Sequence, residues 1–277
     1  MEQGRQGVGR ENRSVKANAP VAVAIDGRIA TVTLATPGKL NALSVASWDA
    51  LKNAFTELSA GTTAARVIVL RGAGGNFAAG ADISEFTTVR SNVELGTRYH
   101  EDTVKGALDA IAECPIPSVA LIEGACVGGG LEIACSCDLR IAGTSARFGV
   151  PINRLGFPLA HSELAAMLGL VSRSVALEIL LEGRVFGAAD AHAKGLLTRV
   201  VDDAEVVAEA YAAAARIAAG SPMAARANKR WIRRLAPSQE SLSQEEIREH
   251  FAFFDSADYK EGVRAFLAKT TPDFPDS

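Results

Sequence analysis

A strand end, a glycine-rich turn and an acid-bearing helix follow one another in Ile122-Glu-Gly-Ala-Cys-Val-Gly-Gly-Gly-Leu-Glu-Ile-Ala-Cys-Ser-Cys-Asp138. Residues 117–123 are apolar and bounded by prolines and a glycine, which predicts a short strand, and residues 131–137 predict a buried helix. Gly128, Gly129 and Gly130 carry no side chains, so a ligand could lie against backbone N–H groups at the positive end of that helix. The pattern indicates an oxyanion hole, with the Glu132 carboxylate in the first helical turn within reach of the same ligand.

A purely structural interpretation of these residues stays open. A tight glycine turn can lead into a core helix, and Glu132 in the first turn can simply stabilise the helix dipole.

The composition favours a globular protein with a sizeable core, because 48% of the 277 residues are hydrophobic. Lys and Arg (29) nearly balance Asp and Glu (32), so we expect neither a nucleic-acid partner nor a basic membrane-binding face. The chain lacks the run of about eighteen apolar residues that predicts a transmembrane helix. Residues 1–18 mix Gly, Gln, Arg, Glu and Asn without an apolar segment, which predicts a disordered tail rather than a signal peptide.

The four cysteines are Cys114, Cys126, Cys135 and Cys137. They form no C-x-x-C pair and lie in apolar surroundings, which predicts reduced core thiols and a cytoplasmic location. Cys126 lies close to the glycine turn, but no histidine neighbours it in sequence, so packing is favoured over nucleophilic catalysis.

The N-terminal half alternates strands and helices. Residues 21–35 predict a hairpin that turns at Asp26-Gly27, and Ser44 is a plausible N-cap for an amphipathic helix to about residue 60. A buried strand at 66–71 runs into a second glycine-rich loop, so the succession of strand, glycine loop and helix occurs twice. Neither copy has the G-x-G-x-x-G spacing, and no G-K-[ST] triplet marks a P-loop. Residues 93–112 are polar and helical in outline. With a further strand at 139–142, the pattern predicts an α/β core with parallel strands.

From His161 onward the sequence is nearly all helical. Residues 204–219 predict an Ala-rich helix, and residues 220–222, Gly-Ser-Pro, are typical of one helix ending and another beginning. Residues 239–256 and 259–269 predict two more helices. We expect this region to pack as a helical subdomain, against the core or against another subunit.

Five short motifs occur in a fixed order along the chain. They are Leu40-Asn-Ala-Leu43, Phe77-Ala-Ala-Gly-Ala-Asp-Ile83, Gly124-x-x-x-Gly-Gly-Gly-x-Glu132, Cys137-Asp138 and Phe148-Gly-x-Pro151. Each motif is weak alone, but together the chain resembles the crotonase superfamily, the enoyl-CoA hydratase/isomerase family. The C-terminal sequences resemble the family too, in Ser221-Pro-x-Ala224, Asp258-Tyr-Lys-Glu-Gly262 and Ala265-Phe-Leu-x-Lys269.

The resemblance implies a crotonase-like spiral of ββα units over residues 19–200, after the tail at 1–18. It implies a helical trimerisation region over 201–277, and therefore a homotrimer or a dimer of trimers. It also implies an acyl-CoA thioester as substrate, with coenzyme A as part of the substrate and no separate cofactor.

The resemblance further implies the roles of individual residues. The backbone N–H groups of Ala81 and Gly129 would hold the thioester oxygen, and one such donor is typically worth about 10²–10³ in rate. Glu132 corresponds to the first of two glutamates with which family hydratases activate water. The substrate and its CoA moiety would contact Lys39, Leu40, Ala42, Ala79, Asp82, Ile83, Ser84, Gly128 and Lys269. A helix cap is the alternative role for Asp82, and a solvated helix-end lysine is the alternative for Lys269.

The chain departs from the family pattern where the second glutamate is expected. That acid follows the proline of the Phe-Gly-x-Pro motif, and here Ile152 follows Pro151. His161 is a possible catalytic substitute, because imidazole acts near neutral pH, although it can equally pack locally at a helix start. Glu163 is expected to be a surface acid of the first helical turn rather than a replacement catalyst.

The remaining histidines, His100, His192 and His250, lie far apart and form no carboxylate cluster or metal-ligand spacing, so we predict no metal site. Ser44 and Ser162 lie outside any G-x-S-x-G sequence, which disfavours a serine hydrolase.

The residues therefore predict an acyl-CoA enzyme that stabilises a thioester enolate and uses Glu132 as its acid/base. The expected reaction is hydration or double-bond isomerisation of an enoyl-CoA. One alternative is a non-catalytic acyl-CoA-binding protein, which the missing acid favours and the retained Glu132 opposes. The other is a decarboxylase or thioester hydrolase of the same superfamily.

Overall fold

The computed structural model describes residues 19–236 and 243–274. The expected tail at 1–18, and the first residues of the helix expected at 239–256, lie outside the described residues. None of the helices in the two described segments combines the length and apolarity needed to cross a membrane.

The described residues form nine strands in two sheets. The strands are β1 (Val21–Asp26), β2 (Ile29–Leu34), β3 (Val67–Gly72), β4 (Ser118–Ile122), β5 (Ala125–Val127), β6 (Leu139–Gly143), β7 (Arg147–Gly149), β8 (Phe186–Gly187) and β9 (Arg199–Val201). The large sheet has the order β1-β2-β3-β4-β6-β9, and the small sheet has the order β5-β7-β8. After the antiparallel pair β1–β2, every pair in the large sheet is parallel, as predicted.

Twelve α-helices lie in the same described segments. They are α1 (Val45–Ser59), α2 (Phe86–Val89), α3 (Val93–Arg98), α4 (Lys105–Glu113), α5 (Gly129–Ser136), α6 (His161–Leu168), α7 (Arg173–Glu182), α8 (Ala188–Ala193), α9 (Val206–Ala219), α10 (Pro222–Leu235), α11 (Gln244–Phe251) and α12 (Ala257–Ala268). A π-helical segment, Tyr99–Val104, joins α3 to α4, and a 3₁₀ turn, Pro151–Leu155, follows β7.

Local signals in the sequence account for several of these boundaries. Ser44 caps α1 by accepting a hydrogen bond from the Ser47 N–H, as predicted. Gly27 takes a φ of +56° in the turn between β1 and β2, a conformation that glycine adopts without a steric penalty. Ser221 caps α10 by accepting from the Ala224 N–H.

Alternate residues of the central strands face opposite sides of the large sheet. In β3, Ile68 and Leu70 belong to the apolar cluster that contains the buried face of α1, and Val67 and Val69 pack with α9. All four side chains are fully buried. Helices cover both faces of the sheet, which explains why its inner strands are apolar throughout.

A third apolar cluster joins the C-terminal helices to α2 and α3, and it is largely aromatic. Its members include Phe86, Phe157, Phe251, Phe254 and Tyr259. A glycine in α3 allows this contact, because a Cβ on Gly96 would lie 2.1 Å from the Phe254 ring. The last helices of the chain thereby form a wall beside the loops that follow β3 and β7.

Two expectations about helices are wrong in detail. The helix expected over 93–112 is interrupted by the π-helical segment, and such segments have no simple apolar period that would reveal them. The region after His161 also contains β8 and β9, which have two and three residues and are too short to show alternation.

Candidate active site

The two glycine-rich loops lie side by side. Ala78 N donates to Ala125 O (2.8 Å), and Val127 N donates to Ala78 O (3.0 Å). The approach requires glycine at the start of α5, because a Cβ on Gly130 would lie 2.4 Å from the Ala78 carbonyl oxygen. These hydrogen bonds bring the end of the loop after β3 next to the start of α5.

The loops present two backbone N–H groups to the same space. Gly129 is the first residue of α5, so its amide has no partner within the helix. The residues on either side of Ala81 are held by Leu43, whose N–H donates to Gly80 O (2.8 Å) and whose carbonyl accepts from Asp82 N (2.9 Å). No described residue accepts a hydrogen bond from the amide of Ala81 or of Gly129. Both amides are therefore available to a ligand oxygen.

Ala81 and Gly129 line a cavity of about 100 Å³. Its wall is mostly apolar and includes Trp48, Ile83, Phe86, Val104, Leu155, Phe157 and Leu159. Glu132, in the first turn of α5, is only 7% exposed and lines the cavity. The wall also contains Ile152, the residue that follows the Phe-Gly-x-Pro motif, and the predicted substrate contacts Ala79 and Gly128.

Burial in this wall raises the pKa of the Glu132 carboxyl well above its ordinary 4.5. The negative charge of Glu163 raises it further, and the positive charge of Arg90 opposes the shift. The raised pKa favours the protonated carboxyl, which can donate a proton to a carbon atom held beside the two N–H groups.

Glu163 is not the surface acid that the sequence suggested. Its side chain and that of His100 are each 4% exposed, and His100 Nδ1 lies 2.6 Å from Glu163 Oε1. Both residues line the same cavity as Glu132. Glu163 does lie in the first turn of α6, as predicted, but α6 packs against α4 and α5, so this turn faces the interior.

The Glu163–His100 pair carries one negative charge. Burial alone would raise the pKa of Glu163, but His100 and Arg90 outweigh burial and hold that pKa below its usual value. Burial lowers the pKa of His100, and Arg90 lowers it further against the opposing charge of Glu163. A neutral imidazole thus donates from Nδ1 to a carboxylate, and its Nε2 has no partner in the described part of the chain. The pKa values of Glu132 and Glu163 are thus shifted in opposite directions although the two carboxyls share one cavity.

Arg90 supplies the positive charge of the site, and the sequence analysis did not single it out. The residue is 4% exposed, and its guanidinium carbon lies 3.9 Å from the centre of the Phe86 ring and 4.2 Å from that of Tyr99. The Tyr99 hydroxyl accepts a hydrogen bond from Trp48 Nε1 (3.0 Å), which fixes the ring. A lone arginine after α2 gives no sequence signal, because only the tertiary structure places aromatic rings around it.

Three histidines come together behind the cavity, although the sequence suggested that His100 and His250 lie far apart. The ring centres of His100, His161 and His250 lie 5.6, 6.1 and 5.0 Å from that of Phe251. His161 is not part of the cavity wall, and its Nε2 lies 3.5 Å from Glu101 Oε1. Within residues 19–236 and 243–274, no group of three or more His, Cys, Asp or Glu side chains is arranged to hold a metal ion.

The two segments expected to hold CoA are also neighbours. Ala79 N donates to Leu40 O (3.0 Å), and Lys39 Nζ lies 2.6 Å from Asp82 Oδ2. Asp82 accepts a hydrogen bond from the Ser84 N–H (3.2 Å) and caps the short 3₁₀ turn that follows, the structural role predicted for it. The loop that continues through Ala42 lies at the surface, next to the mouth of the cavity formed by Ala79.

Two other candidates lie outside the cavity. Lys269 is exposed and ends α12 with a φ of +55°. Cys126 is fully buried, and burial raises the pKa of its thiol well above the usual value, so it does not form the thiolate that a nucleophile requires. All four cysteines are free and buried, as predicted.

Comparison with known proteins identifies one family across nearly the whole described chain. The family model for enoyl-CoA hydratase/isomerase matches residues 24–277. A probable enoyl-CoA hydratase of Mycobacterium tuberculosis is 33% identical over 254 residues, which are 90% of this chain and 95% of that protein. A probable enoyl-CoA hydratase of Bacillus subtilis is 33% identical over 259 residues, 92% of this chain and 98% of that protein.

Solved structures are similar over the same length. An enoyl-CoA hydratase/carnithine racemase from Magnetospirillum magneticum is 44% identical, with a TM-score of 0.79 over 96% of this chain and 99% of that chain. A methylmalonyl-CoA decarboxylase complexed with 2S-carboxypropyl CoA is 28% identical, with a TM-score of 0.85 over 95% of this chain and 100% of that chain.

Proposed function

Because the chain belongs to the enoyl-CoA hydratase/isomerase family, we propose that it adds water to the double bond of a short 2-enoyl-CoA thioester. The observation that carries this proposal is the pair of carboxyl groups in one cavity, where the pKa of Glu132 is raised and that of Glu163 is lowered. A cavity of about 100 Å³ suits a short acyl group, since pockets for drug-sized ligands span about 300–1,000 Å³. Coenzyme A would enter as part of the substrate, and no further cofactor is needed for this reaction.

The thioester oxygen would accept hydrogen bonds from the N–H groups of Ala81 and Gly129. Water then attacks C3 and loses a proton to the Glu163 carboxylate, and the electrons of the double bond move to the thioester oxygen. The neutral Glu132 carboxyl gives its proton to C2 as the enolate collapses. Solvent later returns a proton from Glu163 to Glu132, which restores the starting state.

In this proposal Glu163 takes the role of the second glutamate of family hydratases, whose expected position holds Ile152 here. The second carboxylate comes from α6, the next helix along the chain, instead of from the 3₁₀ turn after β7. The raised pKa of Glu132 also bears on the choice between the two reactions of the family. It makes Glu132 a poor base for removing a proton from C2 or C4, the first step of isomerisation, and a good acid for the protonation of C2 that completes hydration.

Decarboxylation is the second candidate. Loss of CO₂ from an acyl-CoA leaves the same enolate, which a neutral Glu132 could protonate at the α-carbon. A specific observation favours it: solved structures of methylmalonyl-CoA decarboxylase match this chain with TM-scores of 0.83 to 0.85 at 27–28% identity.

The test is product analysis by mass spectrometry after incubation with crotonyl-CoA, a 3-enoyl-CoA and methylmalonyl-CoA in ¹⁸O-labelled heavy water. Hydration predicts a 3-hydroxyacyl-CoA that contains ¹⁸O and one deuterium at C2. Double-bond movement without ¹⁸O would instead indicate an isomerase, and propionyl-CoA formed only from methylmalonyl-CoA would indicate a decarboxylase. Thermal stabilisation by the thioesters without any product would indicate a non-catalytic binder.

We further propose that the protein assembles through α10 as a trimer or a dimer of trimers. No residue of α10 is buried, and the helix exposes four large apolar side chains, Met223, Trp231, Ile232 and Leu235. Such a patch on one helix favours contact with another subunit. Sedimentation equilibrium measures the number of subunits directly, and a monomer at micromolar concentration would contradict the proposal.

A further inference from the structure

Arg90 is a buried cation without a direct ion pair. Its residue is 4% exposed, and no described carboxylate lies within ion-pair distance of its guanidinium, although the charge of Glu163 in the same cavity interacts with it. Its Nε is buried without a hydrogen-bond partner among the described side chains and carbonyls. Contacts with the Phe86 and Tyr99 rings and a hydrogen bond to the Tyr99 hydroxyl offset part of the cost of burying the charge, but none of these partners is an anion.

The two acids of the cavity do not satisfy this cation. Neither Glu132 nor Glu163 forms an ion pair with the guanidinium, and the Oε1 atom of Glu163 lies 2.6 Å from His100 Nδ1. Buried charges in proteins are normally paired, so an unpaired buried guanidinium that lines a ligand cavity indicates that the ligand completes the pair.

We propose that Arg90 binds a carboxylate carried by the acyl group, so that the substrate class is a dicarboxylic acid joined to CoA through one of its two carboxyl groups. This inference rests on the proposed acyl-CoA function of the site and adds the identity of the acyl end. The planar guanidinium presents paired N–H donors that match a carboxylate, and the aromatic rings on its faces leave its edge free for such a bond.

The position of Arg90 separates this anion from the phosphates of CoA. Arg90 lines the same cavity as Glu132 and Gly129 and is 4% exposed. In the loop expected to hold CoA, Lys39 and Leu40 are exposed and do not line this cavity. The anion that Arg90 meets is therefore on the acyl group rather than among the phosphates of CoA.

The same geometry says which carboxylate is bound. A cation that grips a carboxylate stabilises the charged ground state, and this would slow the departure of that group as CO₂. The bound carboxylate is therefore a remote group that orients the acyl chain and takes no part in the bond changes. Acyl groups of the succinyl and glutaryl type place a carboxylate in that position.

Binding of saturated thioesters tests the inference without any turnover. Isothermal titration calorimetry would compare glutaryl-CoA with 5-methylhexanoyl-CoA, and succinyl-CoA with 4-methylpentanoyl-CoA, since each uncharged partner has a branched end of carboxylate shape. We expect at least one of the two carboxylated thioesters to bind at least about tenfold more tightly than its uncharged counterpart. Free glutarate without CoA should bind far more weakly, which locates the carboxylate on the acyl group.

Two variants and one matched control assign the preference to Arg90. In Arg90→Met the preference should fall below about threefold, and in Arg90→Lys part of it should remain, because a charge without the planar fork is kept. Arg98→Met removes the same charge from the exposed end of α3 and should leave the preference intact. Retained binding of the uncharged thioesters would show that each variant is folded.

The outcomes separate this inference from the proposed function. If the wild-type protein binds charged and uncharged thioesters equally, or if Arg90→Met keeps the preference, the inference is wrong while the acyl-CoA site stands. If none of the four thioesters binds, the proposed function itself fails.

Discussion

Replacing Glu132 with glutamine should abolish most turnover and at the same time make the protein more stable. Glutamine has nearly the shape of a protonated carboxyl but cannot give up a proton. Burial in the cavity favours the protonated form of Glu132, so the substitution removes an acid without disturbing the packing. Opposite changes in activity and stability are expected at sites built for chemistry.

The gain in stability follows from proton linkage. In the unfolded chain Glu132 titrates at its ordinary 4.5, whereas burial keeps it protonated in the folded protein well above that pH. Above pH 4.5 the unfolded state binds fewer protons, so the free energy of unfolding of the wild-type protein falls by about 1.4 kcal/mol per pH unit. This loss accumulates from pH 4.5 up to the pKa of the folded carboxyl, and Glu132→Gln should recover it.

Urea denaturation at pH 5, 6, 7 and 8, at one protein concentration, measures this difference. The gap between Glu132→Gln and wild type should widen with pH until the folded carboxyl itself ionises. Glu57→Gln, on the exposed face of α1, is the matched control and should show no such widening. A gap that stays near zero at pH 7 and 8 would mean that Glu132 is ionised in the folded protein, and retained turnover would remove it from the mechanism.

Two further predictions concern the glycine loop and the buried histidines. Gly130→Ala would place a Cβ 2.4 Å from a backbone carbonyl oxygen, so we expect the free energy of unfolding to fall by about 1–3 kcal/mol, measured by thermal or urea unfolding. Gly169→Ala is the control, because its Cβ would lie 3.5 Å from the nearest atom. Equal losses in the two variants would contradict the packing argument. Burial lowers the pKa of both His100 and His250 below the usual 6.5, so the unfolded chain takes up protons first as the pH falls below that value. The free energy of unfolding should therefore fall on acidification from pH 7 to 5. Urea unfolding measures this in the Glu132→Gln variant, because the opposing effect of the Glu132 carboxyl is absent there. A flat or rising profile would refute the assignment of neutral histidines.

The features that could be predicted from sequence have local causes. The glycine turn before α5, the serine caps and the apolar strands each depend on a few neighbouring residues, and all are confirmed. Glu132 was identified for the same reason, because its place in the first turn follows from the glycines just before it.

The features that could not be predicted depend on contacts across the chain. His100 and Glu163 are 63 positions apart, and their pairing requires α6 to pack against α4 and α5. A glutamate in a first turn looks like a surface acid unless the partner helices are known. Arg90 was missed for the same reason, since its rings come from α2, the π-helical segment and residues after β7.

The aromatic cluster that covers His100 has a consequence for how the protein is made. Phe251, Phe254 and Tyr259 lie near the end of the chain, so a ribosome adds them after the sheet and both glycine loops have been synthesised. Until they arrive, the Glu163–His100 pair faces water on that side, and the burial that separates the charges of Glu132 and Glu163 is incomplete. The nascent chain can thus form its scaffold early, but it acquires its acid–base chemistry only when its final helices are released.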